Sequence, residues 1–184
     1  IHPQDFKGIK PKLIIQEGAV VSVGTTLFIN KLNPDVKFTS PASGTVSKIE
    51  YGDRRVIHKI EIVLDGNDTS INFNALGDNP TSNEIKNLLL ESGLWPTIRQ
   101  RPFSKIANQN NIPKAIFVST FNTAPLACDQ VYSLNGKEVF FQSGINALSK
   151  LTNGKVHVNI ENSENSNFLR NIQNAQLNEF IGPH

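Results

Sequence analysis

The spacing of apolar residues changes near residue 75, and this change constrains the fold more than any other feature of the sequence. Before it, five segments alternate apolar with polar residues and are rich in β-branched side chains: KLIIQ, TTLFIN, VKFTS, TVSKIEY and VIHKIEIVL. Turn residues separate them, as in NP, SG and LDGND. Alternation bounded by such turns predicts half-buried strands. We therefore predict an all-β domain over residues 1–76.

The chain after residue 76 has a helical period instead. In TSNEIKNLLLESG, Thr81 and Glu84 have the spacing of a capping box, and Gly93 stands where a helix would end. The segment KAIFVST is a continuous apolar run, which is typical of a buried parallel strand. A further strand, KVHVNI, follows a helical stretch, so strand, helix and strand predict a βαβ unit.

The helical stretch GKEVFFQSGINALSKLTNG supplies the link between those two strands. Its pattern places five residues near one helical face: Val139, Phe140, Gly144, Leu148 and Leu151. Residues 77–184 are thus predicted to form a Rossmann-like α/β domain. The predicted fold class is α+β with two domains, and the predicted boundary lies within NALGDNPTS.

Composition excludes several functions. A formal charge of +2 over 184 residues gives no nucleic-acid footprint, and no segment approaches the roughly 20 apolar residues of a membrane span. The four histidines (His2, His58, His157 and His184) show no metal-ligand spacing with one another or with Cys128, so we expect no metal site. The chain lacks methionine and begins IHPQ, so we expect a fragment of a longer polypeptide.

The β segments also show a specific resemblance. QEGAVVSVGTTLFINKLNPDVKFTSPASGTVSKIEYG resembles the barrel-sandwich hybrid of biotinyl and lipoyl carrier domains, and Lys31 lies near the position of their modified lysine. The ten residues from Lys31 to Pro41 exceed the spacing of those domains, and we expect Pro34 to widen the hairpin. One interpretation is a carrier domain that is modified at Lys31. The other is a barrel corner retained for its shape, in which Pro41 and Gly44 serve backbone geometry.

A second resemblance covers nearly the whole chain. PASGTV, GDRRV, LLESGLWPTIRQRPFSK, AIFVSTFNTAPLA, LSKLTNGKVHV and FIGPH occur in the order and spacing of the A-subunit family of sodium-translocating NADH:quinone reductases. The resemblance implies a peripheral subunit on the cytoplasmic side of the bacterial inner membrane, beside other subunits of the complex. It also implies a role at the quinone-reducing end, with NADH and flavins bound by partner subunits.

More remote relatives include flavin-binding subunits of respiratory NADH dehydrogenases, which makes a flavin- or nucleotide-binding domain another alternative. Glycines in their loop let backbone N–H groups approach the flavin and its phosphate. Here the corresponding stretch, ESGLWPTIRQRPFSK, keeps only Gly93, and Trp95 and Arg99 would crowd a phosphate. We expect no cofactor in this chain.

The candidate ligand site lies in WPTIRQRPFSK. It combines aromatic rings with cations and a hydroxyl, at Trp95, Arg99, Arg101, Phe103, Ser104 and Lys105. A quinone head requires an apolar slot with donors for its two carbonyl oxygens, which these residues contain. Trp, Arg and Phe are also enriched at the centres of protein interfaces. Quinone binding, a protein interface and packing of the two aromatic residues in the core therefore all remain open, and no catalytic residue is predicted.

Overall fold

A computed structural model describes residues 1–182, apart from the side chains of residues 164–167. His184 and the end of the FIGPH motif therefore lie outside the described residues. The chain forms two compact units, Ile1–Gln109 and Asn110–His184. Both combine strands with helices.

Six strands between residues 11 and 64 form two sheets in the first unit. Strands β1 (Pro11–Leu13), β3 (Thr26–Asn30) and β4 (Asn33–Thr39) form one antiparallel sheet in the order β1-β3-β4. Strands β2 (Val20–Val21), β5 (Gly44–Tyr51) and β6 (Ile57–Leu64) form the second, in the order β2-β5-β6. The predicted strands are thus present, and the short β2 is an addition.

Aromatic residues centre the core of this unit. Phe28 and Phe38 are stacked with their ring centroids 4.5 Å apart, and Phe6 meets Phe38 edge-on at 4.6 Å. Phe28 and Phe38 are partners in the register of β3 and β4, so the alternation read from the sequence directs both rings inward. Leu27 and Val46 are fully buried as well.

A two-residue turn joins β3 and β4. Asn30 pairs with Asn33, so Lys31 and Leu32 alone close the hairpin, and the side-chain oxygen of Asn30 accepts a hydrogen bond from the Leu32 N–H at 3.1 Å. Pro34 already belongs to β4. The register then passes from Asn30 and Asn33 to Ile29 and Lys37, so Pro34, Asp35 and Val36 are extra residues of β4 without a paired position on β3. That Pro34 widens the hairpin stays a prediction.

Helix α1 (Ser82–Glu91) belongs to the first unit. Its capping box is present as predicted: the Glu84 N–H donates to the Thr81 hydroxyl, and the Thr81 N–H donates to the Glu84 carboxylate at 2.7 Å. Gly93 follows the helix with a φ of +74°. The buried side chains of the helix are those of Ile85 and Leu90.

Packing keeps α1 with the β strands that precede it. The helix contacts β4, and the Thr39 hydroxyl donates to the carbonyl of Ser92 at 3.3 Å. Gln109 is buried and exchanges two amide hydrogen bonds with Asn33. These contacts explain why the compact units divide after Gln109, whereas the composition of the chain changes near residue 76.

The second unit contains a parallel sheet. Strands β9 (Ala115–Ser119), β10 (Lys155–Glu161) and β11 (Gln176–Phe180) are ordered β11-β10-β9, with both pairs parallel. Helices α2 (Gln130–Leu134) and α3 (Glu138–Ser149) connect β9 to β10, and a 3-10 helix spans Glu164–Asn171. The predicted βαβ unit is confirmed. Ile145 of α3 packs with four buried residues of this unit: Val156, Val158, Ile160 and Leu169.

Two details of this unit differ from the predictions. The strand read as buried, β9, is an edge strand in which Ile116 and Val118 pack against the core, whereas Phe117 is 67% exposed. The predicted apolar face of α3 only partly meets the core, since Leu148 packs against it whereas Val139 and Phe140 are exposed.

The α3 error has a physical cause. On α3, Ile145 is buried, and Phe141 and Leu148 pack half-buried against the core at the i, i+4, i+7 spacing. Phe141 and Ile145 lie one residue after Phe140 and Gly144 of the predicted face, and Leu148 belongs to both faces. The run Val139 to Phe141 is apolar throughout, so periodicity permits both phases, and only packing against the sheet selects one. None of the described helices has the length and apolar character needed to cross a membrane.

Candidate functional site

A short hairpin holds most of the predicted site residues. After α1, a 3-10 turn spans Trp95–Thr97, and strands β7 (Arg99–Gln100) and β8 (Lys105–Ile106) pair antiparallel. Arg99 pairs with Ile106, and the Ala107 N–H donates to the Ile98 carbonyl at 2.9 Å, which closes the base of the hairpin. We call residues 99–106 the basic hairpin.

Trp95 anchors this hairpin from below. Its side chain is 5% exposed, and its indole N–H donates to the Ala107 carbonyl at 2.8 Å. An indole has a single donor, so that donor is already used within the protein. Among the six predicted site residues, Trp95 therefore has the role of core packing.

The other five residues lie at the surface. Arg99, Arg101, Ser104 and Lys105 are exposed, and Phe103 is 76% exposed at the tip. The Lys105 ammonium lies 5.8 Å from the centroid of the Phe103 ring, near the outer limit of a cation–π contact. The structure thus divides the predicted set into one buried residue and five exposed ones, and they do not enclose a slot for a flat ligand.

The charged residues in the sequence around the basic hairpin are all positive. Residues 92–128 contain no aspartate or glutamate, but they include Arg99, Arg101, Lys105 and Lys114. The ion pairs of the described residues lie elsewhere, joining Lys48 with Glu50, Lys59 with Glu50 and Glu61, and Arg170 with Glu179. The three hairpin cations therefore have no carboxylate partner among the residues that the structure describes.

Asp65, Lys31 and Cys128 lie outside the basic hairpin. Asp65 accepts a hydrogen bond from the Ser43 hydroxyl at 2.6 Å and another from the Asn67 N–H at 2.9 Å. These bonds hold the pKa of Asp65 below its usual value, with the Ser43 hydroxyl as the larger cause. Asp65 therefore fastens a turn, as expected for aspartate in LDGND. Lys31 is exposed at its two-residue turn, and Cys128 is an exposed free thiol.

Across residues 1–182, no group of three or more histidine, cysteine, aspartate or glutamate side chains has the arrangement of a metal site.

One surface cluster was not predicted. The rings of Phe117 and His157 are stacked with centroids 4.9 Å apart, and Asn178 donates to the side-chain oxygen of Asn159 at 2.9 Å. Both pairs lie on the sheet face opposite Val156 and Val158. Side chains alternate along β10, so His157 faces away from those valines. The continuous apolar run of β9 gave no signal that Phe117 is exposed.

Each of the two units has an open groove on its own surface. One, of about 280 Å³, is bordered by the first residues of the chain and by Val56 and Ile57. The other, of about 350 Å³, runs between α3 and the 3-10 helix and is lined by residues such as Phe141 and Ile172. Neither is lined by a residue of the predicted site.

Comparison with known proteins gives matches over both halves of the chain. Residues 1–65 match a family model described as the NqrA N-terminal barrel-sandwich hybrid domain, and residues 80–184 match the NqrA second alpha/beta domain. The predicted fold class is confirmed by these two models. The predicted boundary at residues 76 and 77 falls between the matched ranges, and it stays a prediction beside the division after Gln109.

Curated relatives share one name, that of the A subunit of a Na(+)-translocating NADH-quinone reductase. Those of Yersinia pseudotuberculosis and Photorhabdus laumondii are each 39% identical to this chain over 98% of its length. That of Neisseria meningitidis is 37% identical over 98% of the chain. The chain spans 41% of the length of each of these relatives.

Proposed function

Because the chain belongs to the A-subunit family of Na+-translocating NADH-quinone reductases, we propose that it acts as part of a peripheral subunit in such a complex. The resemblance read from the sequence is thereby confirmed at the level of the family. In this proposal the chain assists assembly and the quinone-reduction step from the cytoplasmic side of the membrane. NADH and flavins are bound by the other subunits.

The observation that carries the proposal is the basic hairpin on its Trp95 anchor. Arginine and aromatic side chains are the residues that most often dominate binding at interfaces. Arg101 and Phe103 are exposed, while the buried Trp95 and the paired strands fix the backbone below them. A preorganised, exposed pair of this kind loses little conformational entropy when it docks.

Co-purification tests this proposal. The chain, carried in the full-length subunit with an affinity tag, is expressed with the other subunits and recovered from detergent-solubilised membranes. We expect the other subunits to be recovered with it. Truncating an interface anchor costs about 2 kcal/mol or more, so Phe103→Ala and Arg101→Ala are each expected to weaken recovery severalfold or more.

Matched controls are available on the same unit. Lys12 and Leu32 are an exposed cation and an exposed apolar residue outside the basic hairpin, so Lys12→Ala and Leu32→Ala are expected to leave recovery unchanged. Recovery of the tagged subunit without the other subunits would contradict the proposal. If the hairpin variants and the control variants recovered the other subunits equally well, the hairpin would not be the surface that binds them.

Quinone contact at the basic hairpin is the second candidate. It is favoured by the exposed Phe103 ring beside Ser104 and the Lys105 ammonium, which together offer a ring face and donors. Photolabelling with an azido-quinone, followed by peptide mapping, is expected to mark residues 90–106, and excess quinone is expected to prevent labelling. Labelling confined to other peptides, or labelling that quinone does not reduce, would exclude this candidate.

The two alternatives from the sequence are distinguished by simple measurements. A flavin would give the purified chain a visible absorbance band, which we do not expect, since Gly93 alone remains of the glycines and Trp95 occupies the core there. A carrier role for Lys31 would add the mass of a prosthetic group. Intact mass spectrometry is expected to show the unmodified polypeptide.

A further inference from the structure

The tip of the basic hairpin presents an apolar ring among cations. Residues 99–105 are all exposed, and Phe103 directs 76% of its surface to solvent between Arg101 and Lys105. Strand pairing of Gln100 with Lys105 brings the two arms together directly below the tip. The tip is therefore a narrow projection that rests on the buried Trp95.

A projection of this size has a restricted choice of partners. A specific protein interface covers about 800 Å² on each partner, so the hairpin tip can supply the anchor residues of such an interface but not its whole area. A bilayer needs no complementary pocket, because lipid headgroups rearrange around an inserted ring. Cations near the ring attract anionic headgroups, and no acidic residue occurs in residues 92–128 to oppose that attraction.

We propose that the basic hairpin binds an anionic lipid bilayer, with Phe103 entering the headgroup layer and Arg99, Arg101 and Lys105 contacting lipid phosphates. This inference rests on the proposed function, since it names the surface that a peripheral subunit of a membrane complex meets first. It also places the hairpin beside the bilayer in which quinones dissolve.

Co-sedimentation with lipid vesicles tests the inference on the purified chain. Binding is expected with vesicles of phosphatidylcholine mixed with phosphatidylglycerol, and little binding with phosphatidylcholine alone. Each cation near an anionic surface contributes roughly a fivefold gain in partitioning, so Arg101→Gln is expected to reduce binding about fivefold. Added salt is expected to weaken binding, because it screens surface charges.

Insertion of the ring has its own readout. In Phe103→Trp, the new indole is expected to show a blue-shifted emission on anionic vesicles and quenching by brominated lipids. The native Trp95 is buried and hydrogen bonded within the protein, so it is expected to give no lipid-dependent quenching. Phe103→Ser is expected to reduce binding at least as much as Arg101→Gln, with an unchanged thermal unfolding midpoint.

Control variants and the detergent experiment separate the outcomes. Lys12→Gln and Leu32→Ser change an exposed cation and an exposed apolar residue elsewhere, and they are expected to bind vesicles like the unaltered chain. Equal binding to neutral and anionic vesicles, or equal losses in the control variants, overturns the lipid inference. The same holds if Phe103→Trp shows no lipid quenching.

The proposed function fails separately. If the tagged subunit retains the other subunits in detergent while the chain does not bind anionic vesicles, the lipid inference alone is wrong. Loss of the other subunits in Phe103→Ala and Arg101→Ala would then show that the hairpin contacts a protein. If vesicles bind the chain but the other subunits do not co-purify, the lipid inference stands and the assembly role is wrong.

Discussion

Gly44 shows how one residue fixes the corner that PASGTV forms. It begins β5 between β2 and β6 with a φ of +154°, and a Cβ added there would overlap the carbonyl oxygen of Val63. That oxygen belongs to the backbone of a paired strand and has little freedom to move. Gly44→Ala is therefore expected to lower the free energy of unfolding by about 3 kcal/mol, measured by urea denaturation.

Gly77 provides the control for this prediction. A Cβ added at Gly77 meets no atom within 4 Å, so Gly77→Ala is expected to change the free energy of unfolding by less than about 0.5 kcal/mol. Equal effects of the two substitutions would show that Gly44 is retained for some reason other than close backbone approach.

Asp65 predicts a pH dependence whose sign follows from its hydrogen bonds. The Ser43 hydroxyl and then the Asn67 N–H lower the pKa of Asp65. Its stabilising contribution is therefore complete above the unfolded-state pKa near about 4, and it is lost as pH falls through the lower folded-state pKa. In Asp65→Asn, which keeps the acceptor oxygen, stability is expected to fall less steeply with acidification.

Urea midpoints recorded from neutral to acid pH measure this effect. Asp68→Asn removes a carboxylate from the same turn, but not the one that accepts from Ser43, and serves as the control. If Asp65→Asn left the loss of stability with acid unchanged and Asp68→Asn reduced it, the pH dependence would come from Asp68, and the prediction for Asp65 would be wrong.

At the scale of elements, α3 contains a glycine that the structure does not require. Gly144 is exposed within the helix, and an added Cβ meets no atom within 4 Å. Alanine has the higher helix propensity, so Gly144→Ala is expected to raise the free energy of unfolding by up to about 1 kcal/mol in urea denaturation. Gly136→Ala is the contrast: its φ of +76° should make the substitution destabilising.

Elements defined by local chemistry were predictable from the sequence. The capping box of Thr81 and Glu84 needs no tertiary contact, and the alternation of β3 and β4 directs Phe28 and Phe38 to one face. The phase of α3 was not predictable, because Val139 and Phe140 are as apolar as the half-buried Phe141 that packs against the core. The predicted burial of β9 was wrong for a related reason, because a short apolar run does not show that its strand lies at the edge of a sheet.

The candidate site was predictable in composition but not in geometry. The sequence located rings and cations within residues 95–105, yet it placed Trp95 and Phe103 in equivalent roles. Burial separates them, since Trp95 is 5% exposed and Phe103 is 76% exposed. Two aromatic residues eight positions apart take opposite roles here because the hairpin folds back and its Ala107 carbonyl accepts the Trp95 indole N–H.

At the scale of the whole molecule, the sequence pattern and the compact units of the structure change at different places along the chain. Composition and the matched family ranges change between residues 65 and 80, whereas the first compact unit continues to Gln109. Residues 82–109 supply buried side chains to that unit, including Ile85, Leu90 and Trp95. The amide pair of Asn33 and Gln109 then fastens its end.

Two fragments distinguish these boundaries. Burying a large apolar side chain contributes about 1.5 to 3 kcal/mol, so a fragment ending at residue 76 is expected to be less stable than the 1–109 fragment by roughly 5 kcal/mol. Urea unfolding of both fragments measures the difference. Trp95→Ala in the longer fragment is expected to remove about 3 kcal/mol of it. Equal stability of the two fragments would instead show that residues 1–76 form an independently stable β domain, and that α1 and the basic hairpin add nothing to its stability.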